Sequence, residues 1–150
     1  LQGAEFMQEG AFNDWQALEW EHVEKHHGII TAHQHLIGLR RNMYANTAGL
    51  SGQSTALIHR DDTNSVVAYH RWDKGGAGDD VIVIVNFGRH MFDEYVLRLP
   101  RPGEWVVRFN SSWKGYSADF HEKSWDRATT DDSQRAHISL APYSVYILSQ

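Results

Sequence analysis

The chain has 150 residues, enough for one domain and too few for two full ones. With 41% hydrophobic and 22% charged residues it has the make-up of a globular protein that buries a real core, which excludes a disordered or low-complexity chain. A formal charge of −5 leaves no basic footprint for nucleic acid or an anionic membrane, and the lack of cysteine removes thiol catalysis, disulfides and Cys-based zinc sites.

The first 28 residues are dense in Trp15, Trp20, Glu19, Glu21, Glu24, His22, His26 and His27 and hold no sustained period, so an irregular segment is expected there. The start, LQGAEFMQEG, has neither the basic opening nor the apolar stretch of a secretion signal and does not begin with Met. A piece of a longer chain is therefore expected. From Ile29 the pattern turns helical: Ile29, Leu36 and Met43 recur every seven residues, as do Ile30, Ile37 and Tyr44. This predicts one helix of about 15 residues, opened by Gly28 and finished before Gly49, with Arg40 and Arg41 near its C-terminal end.

Beyond Gly49 the period becomes two. Strands are predicted at Thr55–Arg60, Ser65–Trp72, Tyr95–Leu99, Trp105–Phe109, His137–Leu140 and Tyr143–Leu148. Val81–Phe87 is apolar on both faces and predicts a central strand covered from each side. Its longest aliphatic run, Val81 to Val85, is far shorter than the roughly 18 residues that span a bilayer. Asp61-Asp62-Thr63-Asn64 reads as a hairpin loop, Lys74 to Gly78 as a wider loop, and Pro102-Gly103 as the centre of a type II turn. The fold class that follows is mainly β: an antiparallel Greek-key sandwich of about seven strands, preceded by one helix and an irregular segment. Ser111 to Ala136 is too long for a structureless loop and is expected to be functional or to hide a further element.

Catalytic chemistry finds little support. Asp79-Asp80 and Asp131-Asp132 are the obvious carboxylate pairs, yet neighbours on an extended strand point to opposite faces, and both are expected to be solvated turn residues. His22 and His26 have helical spacing without the carboxylate of a zinc helix, and His33 and His35 point apart, so no metal site and no cofactor are expected. The glycines of Gly75-Gly76-Ala77-Gly78 open no helix, which argues against a phosphate cradle. The six Trp remain, as core residues or as flat platforms for the apolar face of a sugar ring. Trp113, Tyr116 and Trp125 in the long segment, with Trp72 beside the glycine loop, are the candidate carbohydrate-binding residues; the rival expectation is that Trp113 and Tyr116 plug the open end of the sandwich.

The stretches LIGLRRN (36–42), NTAGLSGQ (46–53), AYHRWD (68–73), GGAGDDVIVIVNF (75–87), PRPG (100–103), FNSSWKGYSADF (109–120) and APYSVYILSQ (141–150) resemble the C-terminal end of α-amylase-family proteins of glycoside hydrolase family thirteen. Within that family the likeness is greatest to bacterial 1,4-α-glucan branching enzymes. It implies that residues 1–28 are the remnant of the end of a (β/α)8 barrel, with Gly3 and Glu5 on its last strand, that 29–49 are the last barrel helix and a linker, and that 50–150 are an all-β C-terminal domain. The family's catalytic carboxylates would all precede Leu1, so no catalytic residue is expected in this chain. Ala4, Ser112 and Ala118 depart from the residues more usual in relatives. The implied role is a non-catalytic, cytoplasmic domain that supports the barrel, with glucan binding through exposed aromatics of residues 111–136 as the alternative. The barrel-facing stripe on the helix predicts, when nothing covers it, either self-association through residues 1–45 or disorder near the N-terminus.

Overall fold

The computed structural model describes residues 2–11, 13–120 and 125–150. Leu1, at the head of the stretch compared with a barrel strand, Phe12, and residues 121–124 of the long segment lie outside the described residues. After a 3-10 turn at Ala4–Phe6 come a short helical turn, α1 (His22–Lys25), and the main helix, α2 (His27–Arg40). The N-terminal segment is thus less irregular than its sequence suggests. Among the described residues eight strands follow, one more than predicted: β1 (Ser54–Asp61), β2 (Val66–Trp72), β3 (Val81–Asn86), β4 (Phe92–Arg98), β5 (Glu104–Asn110), β6 (Arg127–Thr129), β7 (Arg135–Leu140) and β8 (Ser144–Ser149). The extra strand, β6, is the element hidden in the 111–136 segment, and only three residues long.

All pairings are antiparallel. Six strands form one sheet in the order β1-β2-β3-β8-β5-β6, and β4 pairs with β7 as a second, two-stranded sheet over one face. Pairing of β4 with β7 and of β5 with β8 sets each strand beside the third one after it, which is Greek-key winding. The apolarity of β3 on both faces has its reason here. Ile82 and Ile84 enter the core between the sheets with Leu97, Trp105, Leu140 and Tyr146, while Val81 and Val83 enter a second core with Leu39 of α2, Leu50, Phe109 and Ile147.

Helix α2 ends earlier than the sevenfold pattern predicts. Asn42 takes a left-handed backbone (φ 51°), the Met43 N–H bonds back to the Gly38 carbonyl, and the Asn42 N–H to that of Leu39. This is a Schellman stop, in which a left-handed residue satisfies the last free carbonyls. Met43 and Tyr44 therefore lie beyond the helix, and Gly49 belongs to a 3-10 turn at Ala48–Leu50. That turn is stitched to the sandwich by the Ala48 and Gly49 N–H groups, which donate to the carbonyls of Gly78 and Asp79 at 3.0 and 2.9 Å. On the flank where β1 meets β4, the Tyr95 hydroxyl donates to Asp61 (2.8 Å) and lies 2.7 Å from His59 Nε2, tying the two sheets together. Hydrogen bonds from the Asn64 side chain and backbone, and then from Tyr95, pull the Asp61 carboxyl down to about 2. Burial lowers the His59 imidazole, against the nearby Asp61 charge.

Asp80 overturns one expectation. It is not a solvated turn residue: its side chain is fully buried and takes hydrogen bonds from His70 Nε2 (2.9 Å), the Gly76 N–H (2.9 Å) and the Arg101 guanidinium. The neighbouring Asp79 accepts from the backbone N–H groups of Asp73, Lys74 and Gly75, with Lys74 at 2.6 Å. The Gly75 and Gly76 N–H groups of the glycine loop thus point at the protein's own carboxylates, and that of Gly78 donates to the Gln150 carbonyl (3.2 Å).

Candidate functional site

The site is built on a mismatch of strand lengths. β6 covers β5 only from Glu104 to Val106, so the edge of β5 from Val107 onward is flanked by loop. A bulge lies in the same place: Val107 pairs with Leu148 and Phe109 with Ile147, which leaves Arg108 as the extra residue. The bulge sends Val107 to the inter-sheet core and Phe109 to the outer one. Bulges of this kind re-aim side chains at the margins of sheets. There the Val107 N–H donates to the Asp126 carbonyl (2.8 Å), and alongside runs a cleft of about 320 Å³, walled by Arg108, Trp113, Tyr116, Trp125, Asp126 and, from α2, His35.

Each wall has a local cause. Two tight turns follow β5, closed by the Trp113 N–H to the Asn110 carbonyl (3.1 Å) and the Tyr116 N–H to the Trp113 carbonyl (2.9 Å), and they bring both rings back to the sheet edge. Tyr116 packs on the outer core and lies 5.7 Å from the Phe109 ring, with Trp113 edge-on to it at 5.0 Å and 87°. The Tyr116 hydroxyl meets His35 Nδ1 at 2.6 Å, and burial pushes its pKa up to about 12, so the phenol is neutral across the physiological range. Trp125 is anchored, its indole N–H donating to the Ser139 carbonyl (2.8 Å) and its ring tilted against Tyr146. Arg108 donates to Ser149 Oγ (2.9 Å); burial, and then the nearby Arg127 cation, lower its pKa.

Of the four rings singled out in the sequence, the fold gathers Trp113, Tyr116 and Trp125 into one cleft and leaves Trp72 out of it. Trp72 ends β2, where it stacks on His70 at 4.4 Å and 22°. Tyr116 packs against the outer core and Trp125 against the inter-sheet core, whereas Trp113 is 41% exposed. The sequence reading missed His35, Arg108 and Asp126. His35 had a legible signal, since Gly28, His35 and Leu39 fall on one helical face, and that face turns to the sandwich. The bulge that makes Arg108 a cleft residue has no mark in the pattern.

In the histidine-rich start the His22 and His26 rings meet edge to face, 5.7 Å between centroids. Among the described residues the one acidic and imidazole group close enough to share an ion is Glu19, Glu21 and His22, two of them exposed, with His22 Nε2 3.2 Å from the Glu19 carboxylate. No helix among the described residues is long and apolar enough to cross a membrane.

Comparison with known proteins accounts for this architecture. A 1,4-alpha-glucan branching enzyme of Xanthomonas oryzae pv. oryzae is 29% identical over 160 residues, which covers 97% of this chain and 22% of that protein. One from Pseudomonas fluorescens is 27% identical over 159 residues, covering 97% and 21%, and one from a Synechococcus species is 32% identical over 120 residues, covering 76% and 15%. The chain thus spans about a fifth of the length of the first two relatives. Two solved structures share the fold: the alpha-amylase from H. orenii (TM-score 0.55, 18% identity, 92% of this chain and 25% of that one) and the type I pullulanase of Bacillus subtilis in complex with maltose (TM-score 0.59, 17% identity, 98% and 20%). The family model described as the alpha amylase, C-terminal all-beta domain matches residues 57–150, that is, every strand from the middle of β1 to the end of β8. The chain belongs to the α-amylase C-terminal all-β domain family.

Proposed function

We propose that this chain is the supporting β-domain of a cytoplasmic α-glucan-processing enzyme akin to the 1,4-α-glucan branching enzymes, that it packs against a catalytic (β/α)8 barrel, and that by itself it performs no glycosidic chemistry. In this reading residues 1–28 close the barrel, 29–49 are its last helix and a linker, and 50–150 are the supporting domain. The observation that carries the reading is the division of α2 into two apolar faces. Leu39 seals the sheet, with only 4% of its surface exposed, while Ile37 remains 53% exposed on the side turned away, and beyond the helix Met43 is 64% and Tyr44 63% exposed. A helix that is apolar on both sides is one made to be buried on both. The linker hydrogen bonds from Ala48 and Gly49 hold this open face at a set angle to the sandwich.

A chimera tests the reading. The matching segment of the Xanthomonas oryzae relative is replaced by this chain and compared with the same relative simply lacking that segment. The expected result is that the chimera is recovered folded and branches amylopectin, followed by iodine staining, whereas the truncated protein is not. The 150-residue chain alone is expected to change neither iodine staining nor reducing ends, because glycosidic chemistry requires an oriented pair of carboxylates. A chimera no more stable than the truncation, or turnover by the chain alone, overturns the proposal.

A further inference from the structure

We propose that the cleft between α2 and the C-terminal half of β5 is a binding site for a short stretch of neutral α-glucan, with the Trp113 indole as its stacking surface; the choice of α-glucan rests on the function proposed above. The cleft volume of about 320 Å³ sits at the small end of ligand sites, which suits a few sugar rings rather than a long run of polymer. Its aromatic surface is held in place before any ligand arrives. Gly115 lies directly under the six-membered ring of Trp113, so close that a Cβ on Gly115 would stand 2.3 Å from it, and Tyr116 braces the indole edge-on. An indole held in this way and still 41% exposed pays little ordering entropy when a ring settles on it.

The polar walls say which rings. Arg108 and Asp126 carry opposite charges and the Tyr116 phenol is neutral, so the cleft offers donors and acceptors without a net field that favours an ion. Flat apolar surface beside mixed donors and acceptors is the chemistry that takes a sugar, whose C–H face stacks while its hydroxyls hydrogen-bond. The site is also bipartite. His35 comes from the helix and the other walls from the sandwich, joined by the 2.6 Å contact of His35 with Tyr116, so an occupant bridges the seam between them.

Native electrophoresis of the 150-residue chain in gels cast with glycogen tests the site. Retardation is expected for the unmutated chain, weakened about tenfold by Trp113→Ala, as the loss of one good stacking partner implies. Gly115→Ala keeps the indole but displaces it, and is expected to weaken binding while the thermal melt stays within a few degrees. In a titration with maltoheptaose followed by NMR, the indole N–H signal of Trp113 is expected to shift and that of Trp72 to stay. The titration decides the matter if Trp113→Ala fails to fold. Unretarded migration of the unmutated chain, unaltered binding by a folded Trp113→Ala, or equal retardation by hydroxyethyl cellulose overturns the inference. The chimera reads the supporting role independently: an active chimera alongside an unretarded chain removes the cleft and leaves the function standing.

Discussion

Asp80 is where a single side chain decides most. Desolvation acts first and would raise its carboxyl, but the Gly76 N–H, the Arg101 guanidinium and His70 together outweigh it and hold the group below the usual carboxylate range. Asp80→Ala leaves the His70 and Gly76 donors facing an empty buried spot. The expected loss is roughly 2–3 kcal/mol, read as a lower urea midpoint; it falls short of the largest values for broken buried pairs because Arg101 is half-exposed and can turn to water. A carboxylate with a depressed folded pKa contributes stability that is full above its unfolded value and is lost as pH falls through the folded one. Asp80 and Asp61 both start from 3.8, and Asp61 reaches about 2 in the folded chain. Stability is therefore expected to drop between these values, and the drop to be shallower in Asp80→Ala than in the unmutated chain. An unchanged acid limb in that variant would show that Asp80 is not ionised in the fold.

How α2 meets the sheet rests on one glycine. A Cβ on Gly28 would stand 1.7 Å from the Tyr116 carbonyl oxygen, a backbone atom that cannot step aside. Gly28→Ala gains about 1 kcal/mol of helix propensity, yet the clash, of the order of 1–3 kcal/mol for overpacking, opposes it and lifts the helix from the turn that holds Trp113. Hydrogen exchange is expected to quicken over α2 while β3 stays protected. Gly38→Ala is the control, for its Cβ would meet the Tyr44 ring at an ordinary 3.4 Å, and it should not speed exchange. The same elements show what a sequence can disclose. β3 was legible because five apolar residues in a row satisfy two cores at once, and the helix was legible from its period. Its end was missed because the stop is Asn42 in a left-handed turn, a signal weaker than the glycine expected there. β6 escaped because three residues, Arg127, Ala128 and Thr129, are too few to display alternation. The cleft was half legible: aromatics announce themselves by type, but the bulge at Arg108 and the approach of His35 depend on register and on a contact 81 residues apart.

At the scale of the whole molecule the N-terminal side of the chain is left open. Trp15 is 96% exposed and Trp20 66%, on the same N-terminal portion of the chain as the open side of α2 with Ile37, Met43 and Tyr44. Contiguous apolar surface of a few hundred Å² is rarely left to water, and a net charge of −5 on 150 residues repels a second copy only weakly. The chain by itself is therefore expected to self-associate through residues 1–45, seen as a sedimentation coefficient that rises with protein concentration. Ile37→Glu together with Met43→Glu is expected to return it to a monomer with an unchanged melt, because neither side chain contributes to either core. A monomeric boundary at every concentration would count against this open face as an interface. In the chimera the same two glutamates would meet the barrel rather than water, where burying an unpaired carboxylate is costly, and the double variant is expected to lower both the chimera's melting temperature and its branching activity. Dissociation of the chain's own assembly with no effect in the chimera would separate the two surfaces and place the barrel contact elsewhere.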